Sequence, residues 1–163
     1  MSGTGNDQAA TCPGHPLRGD ELAFLREARV GRLATVDAHN RPFVVPFCFA
    51  VLGEQDPVVV SALDEKPKRV PDRDLARIRN IERNPDVGFV VDRYDEDWSK
   101  LAFVQVWGAA SLVEPGADRH REAVAGLRAK YPLYLAMAIE RRPVIVIEQL
   151  RAHSWRGDGR HFS

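Results

Sequence analysis

Lys66, Lys68 and Arg69 crowd one short stretch of chain, DEKPKRVPDRD, that directly follows the apolar run PVVVSAL. Pro67 and Pro71 restrict the backbone on either side of these charges, which lowers the entropy lost in holding the side chains together. Arg73, Arg77 and Arg79 follow on the next segment, and a helix N-terminus near Asp74 would add its backbone dipole. Such a grouping can cradle a phosphate, a phosphodiester or several carboxylates. A solvated basic edge that discourages strand pairing is the plainer role. Asp64, Glu65, Asp72 and Asp74 can also neutralise the loop from within.

Other chemistry is sparse. Tyr94 and Trp98 flank three carboxylates in RYDEDW, and Trp107 follows on a strand. Aromatics at a strand end can stack on a planar ring, although Trp107 also suits a core or a subunit interface. His39 falls in a turn, His120 on an exposed helix face and His153 near the end of the last strand, the one histidine expected to be ordered. Cys48 reads as a small buried hydrophobe. There is no G-x-S-x-G elbow, P-loop or G-x-G-x-x-G. No catalytic residue is therefore assigned, and an enzyme built this way would take its reactive atom from a cofactor. Cys12 and His15 in CPGH are half of a zinc ligand set, so no metal is expected.

The bulk properties are permissive. The chain has 163 residues, 44% hydrophobic and 28% charged, with a formal net charge of zero. That balance gives no whole-molecule attraction to nucleic acid or to an anionic membrane. Two cysteines make no disulfide framework. With no signal-peptide layout or spanning apolar run, a reducing cytoplasm is the default compartment.

The elements that must position these residues follow from periodicity. Residues 1–16 read as a disordered tail, 17–157 as one folded domain and 158–163 as a C-terminal tail. Asp20 is a candidate N-cap for a helix with Leu22, Leu25 and Ala28 on one face. Residues 30–52 read as two strands joined at Asp37–Arg41, and PVVVSAL as a third. DVGFVVD, LAFVQVWGAASLVE and PVIVIEQLRAHSW are the fourth to sixth. Leu75, Ile78 and Ile81 mark a helix ending at Asn84-Pro85, and ADRHREAVAGLRAKY marks another. The apolar piece PLYLAMAIERRP after it can be helical too. The expectation is a mainly β (α+β), six-stranded antiparallel barrel with short flanking helices. FVVPFCFAV and PVIVI lack polar alternation and need cover on both faces, which predicts a homodimer with sheet surface at its interface.

Three stretches in order resemble the pyridoxamine 5'-phosphate oxidase-like, flavin or deazaflavin oxidoreductase superfamily. They are FLREARVGRLATVDAHNRPFVVPFCFAV, VVVSALDEKPKR and LARIRNIERNPDVGFVVDRYDEDWSKLAFVQVWGAASLV. The lysine loop, the NP and the VDRYDEDW segment are similar to its branch dependent on coenzyme F420. The resemblance implies an FMN-binding split β-barrel, a homodimer with the cofactor pocket at the subunit interface, and a small-molecule substrate. It implies that Ser61, Ala62 and Leu63 line the ring system, with Pro46 and Phe47 as the pocket floor. Lys66, Pro67, Lys68 and Arg69 would face the phosphate, with Arg77 and Asn80 as further contributors and Trp98 or Trp107 arriving from the other subunit. The implied activity is hydride transfer from reduced F420 to a planar, electron-poor acceptor. The alternatives are an FMN-dependent oxidoreductase and a non-catalytic flavin-, haem- or tetrapyrrole-binding protein. The chain ends SWRGDGRHFS in place of the basic Arg-Leu-Ala-Pro-like finish of the true pyridoxamine phosphate oxidases, so their reaction is not expected.

Overall fold

A computed structural model describes residues 14–63, 71 and 75–163. The lysine loop with Lys66, Pro67, Lys68 and Arg69 lies outside the described residues. In chain order the elements are β1 (His15–Pro16), α1 (Gly19–Glu27), β2 (Gly31–Val36), β3 (Pro42–Phe47), β4 (Ala50–Leu52) and β5 (Val58–Ala62). They continue with α2 (Ala76–Arg83), β6 (Asp86–Arg93), β7 (Ala102–Val113), α3 (Asp118–Lys130) and β8 (Val144–Arg156). PLYLAMAIERRP forms short 3-10 turns at Pro132–Ala136 and Ile139–Arg141.

The sheet is antiparallel and runs β3-β2-β6-β7-β8-β5-β4, with β1 paired to β8 off that path. The six expected strands thus become seven, plus the two-residue β1. The extra strand arises because residues 42–52 do not stay on one neighbour. β3 pairs with β2, placing Phe47 opposite Gly31, whereas β4 pairs with β5, placing Ala50 opposite Val60. Consecutive strands therefore lie at the two ends of the sheet, and Cys48–Phe49 is the seam across which the half-barrel closes. Tyr131 staples it: its hydroxyl accepts from the Phe49 N–H at 3.0 Å and lies 2.7 and 2.8 Å from the Phe49 and Arg29 carbonyls, one of which takes its proton. The Ser61 hydroxyl donates to the Cys48 carbonyl at 2.7 Å across the same seam.

Two apolar cores explain the strands without alternation. Leu25, Leu33, Phe47, Phe49, Phe89, Val104 and Ile147 fill the barrel. Val60, Ala62, Val144 and Val146 turn the other way and pack beneath Ala123, Val124 and Leu127 of α3. PVIVI is therefore covered on both faces within one chain, with no partner needed there. β3 differs: Phe43 is 37% and Val44 59% exposed.

Several local expectations need correcting. The N-cap of α1 is Arg18, whose N–H donates to the Glu21 carboxylate at 2.8 Å, while Asp20 accepts the Ser163 hydroxyl at 2.8 Å. His120 is buried, its Nε2 2.7 Å from the Arg142 carbonyl, because α3 presses that face onto the 3-10 segment. His15 and Pro16 pair with β8 although they fall within the expected N-terminal tail. Phe162 in the expected C-terminal tail is buried, its ring 5.6 Å from Phe24, because it fills the end of the barrel. The Asp37–Arg41 turn is as read, closed on the Asp37 carboxylate. The Arg41 N–H, the His39 N–H and the Arg41 side chain hold that carboxyl down at about 2.

Candidate functional site

The seam opens into a cavity of about 390 Å³. Its walls come from β2 (Leu33), from β3 and the seam (Val45, Pro46, Phe47, Cys48), from β5 (Ser61, Ala62), from β8 (Ile145) and from the 3-10 turn (Tyr134). Arg77, on the first turn of α2, is the one charged side chain among the described lining residues. Leu75 lines the same cavity. The lysine loop joins β5 to α2, and Ala62, the last residue of β5, and Leu75, the N-cap of α2, both line this cavity. An apolar hollow of this size with a guanidinium among its lining groups suits a ring system carrying an anionic tail. Ser61 is 4% exposed and spends its hydroxyl on Cys48, so it fixes the wall and leaves ring contacts to the surrounding apolar surface.

Five of the expected site residues meet here: Pro46, Phe47, Ser61, Ala62 and Arg77. Leu63 points into the barrel core at 1% exposure. Asn80 is buried on α2, and its amide donates to the Thr35 hydroxyl at 2.9 Å, so it docks the helix on β2. Trp98 is 71% exposed on a 3-10 turn. Trp107 lies on the outer face of β7, where it lines a separate apolar groove with Ala34, Val44 and Gly88. Neither tryptophan is among the residues lining the seam cavity. Cys48 and Tyr134 are lining residues that sequence reasoning missed. Cys48 carries no signal of a seam within an unbroken apolar run, and Tyr134 is brought over the cavity by a turn far along the chain.

A larger hollow of about 520 Å³ lies beside Glu54, Asp56 and Glu148. Its carboxylates oppose an anionic ligand, and none of the expected residues lines it. Among the described residues no group of His, Cys, Asp and Glu could hold a metal.

The sequence matches the pyridoxamine 5'-phosphate oxidase family over residues 19–156. The chain belongs to that family. Among curated proteins it is 31% identical over 107 residues to the 5a,11a-dehydrotetracycline/5a,11a-dehydrooxytetracycline reductase of Streptomyces rimosus subsp. rimosus, covering 65% of this chain and 70% of that one. Solved structures with the same split-barrel fold include a conserved hypothetical protein of Mycobacterium tuberculosis, with a TM-score of 0.65 and 20% identity over 91% of this chain and 92% of that one. Another is HutZ, the haem storage protein of Vibrio cholerae, with a TM-score of 0.61 and 19% identity over 82% and 89% of the two chains. The family match and the reductase relative support an oxidoreductase. A flavin or deazaflavin, the kind of group this family generally binds, fits the seam cavity's apolar walls and the Arg77 guanidinium among its described lining residues.

Proposed function

We propose that this protein is an F420-dependent reductase that holds the deazaflavin in the seam cavity. The observation that carries the reading is the convergence of Pro46, Phe47, Ser61, Ala62 and Arg77 at the point where the lysine loop leaves the barrel. Phe47 and Ala62 offer apolar surface to a ring system, and Pro46 limits how far that wall can yield. Arg77, with Lys66 and Lys68 of the adjoining loop, holds the anionic tail. Bound in reduced form, the deazaflavin would supply the hydride for an electron-poor carbon of the acceptor. The protein's part is to align ring and acceptor and to exclude water from the slot. A planar conjugated acceptor fits the reductase relative, which acts on dehydrotetracyclines.

The reading includes a homodimer. The exposed Val44 lines the apolar groove with Trp107, Ala34 and Gly88, and a second copy would cover it. FMN is the second candidate for the cavity, since its phosphate suits the same cations. Haem storage, the role of HutZ, is less favoured because no histidine stands among the described lining residues.

Ligand-free protein should be titrated with oxidised F420 and FMN side by side, with Lys66→Ala/Lys68→Ala as the control. F420 binding tighter than FMN and lost in the variant is the expected result. Binding of neither cofactor would sink the reading.

A further inference from the structure

A second cavity, of about 380 Å³, lies between β1, the end of β8 and the last residues of the chain. It shares no lining residue with the seam cavity. Arg18, Arg156 and Arg160 line it together with His15, His153 and His161, and no carboxylate is among the described lining residues. We propose that this cavity is a binding site for a small aromatic oxyanion, a phosphate or carboxylate borne on a planar ring.

The cavity is built and held by the fold. Residues 158–163 turn back on α1: the Asp20 N–H donates to the Ser163 carbonyl at 3.0 Å, and the Arg18 guanidinium donates to the Phe162 carbonyl at 2.9 Å. Phe162, 4% exposed, anchors this return, and the Arg156 guanidinium lies over its ring at 5.1 Å. The nearest buried negative charge, Glu21, is already engaged. Its carboxylate accepts from the Ser154 hydroxyl at 2.6 Å and the Arg18 N–H at 2.8 Å, with His15 Nε2 at 3.5 Å. Asp158 is paired with Arg156 at 3.6 Å and caps the Arg160 N–H at 2.9 Å.

That leaves the Arg160 and His161 side chains without a hydrogen-bond or ion-pair partner among the described residues. Cations converging on a concavity focus the field, and a guanidinium grips an oxyanion through paired N–H donors. The ring requirement comes from Trp155, which lines the same cavity as the Arg160 guanidinium and remains 47% exposed, with the Phe103 ring stacked 6.2 Å away. An indole face next to a guanidinium favours a flat anion over a bare one.

The test is calorimetric titration of the whole protein with phenyl phosphate, benzoate, inorganic phosphate and phenol. Phenyl phosphate or benzoate should bind saturably, inorganic phosphate more weakly and phenol not at all; which aromatic anion binds tighter tells phosphate from carboxylate. Arg160→Ala/His161→Ala, both at exposed positions, should weaken the aromatic anion at least tenfold and leave F420 and FMN binding unchanged. The proposal fails if neither aromatic anion saturates, if the variant binds as the wild type does, or if a flavin or deazaflavin displaces the bound anion.

Discussion

Lys130 stands where burial and a like charge act together. Desolvation, then the nearby Arg29 guanidinium, pull its ammonium down to about 8, while its Nζ sits 4.3 Å from the Phe49 ring centroid. Between about 8 and the ordinary 10.5 the unfolded chain binds a proton that the folded chain does not, so stability rises with pH across that window. Below it the protein carries the whole cost of holding the charged amine. Lys130→Met removes the titration, so the melting-temperature difference, variant minus wild type, should fall as pH climbs through the window. A difference flat with pH would mean the amine is fully solvated. For Arg77, a lining residue of the seam cavity, the proposed partner is the cofactor's anionic tail. Arg77→Ala should weaken F420 or FMN by about tenfold to a hundredfold, the loss of a charged hydrogen bond of about 1.5–3 kcal/mol. Equal affinity in the variant would remove Arg77 from the site.

At the scale of elements, the seam between β3 and β4 depends on a residue from α3's end. Tyr131→Phe deletes the hydroxyl that serves the buried Phe49 N–H and should cost about 1–3 kcal/mol. Urea unfolding would read this as a lower midpoint with an unchanged slope. The β7–β8 bulge has a different vulnerability. A Cβ on Gly108 would meet the Glu148 carbonyl oxygen at 2.5 Å and Ile147 Cγ2 at 2.8 Å. Gly108→Ala must push strands apart, and a cost of about 1–3 kcal/mol is expected from the same unfolding experiment. The sequence marks neither weakness. Residues 42–52 are apolar throughout, and nothing in PFCFAV records which strand each residue will meet. His120 illustrates the same limit. Its helix reads as solvated on that face until the 3-10 segment folds over it.

For the whole molecule, the unpaired edge and outer face of β3 set the assembly question. Val44→Asp, at a position 59% exposed in the single chain, should leave the fold intact and shift sedimentation to a monomer if that face joins two copies. Unchanged sedimentation would move any interface elsewhere. The strand periods, the turn at Asp37–Arg41 and the helix end at Asn84-Pro85 were legible because each depends on neighbours a few residues away. What folding alone decided is which side chains share a space. It sends Leu63 into the core and Asn80 to Thr35, and it keeps Trp98 and Trp107 off the seam cavity of their own chain. It also places Tyr134 over that cavity and gathers cations from both ends of the chain around a second one. Local pattern determines which face of a strand is apolar. Only closure of the sheet, where its first and last strands turn out to be consecutive, determines what that face meets.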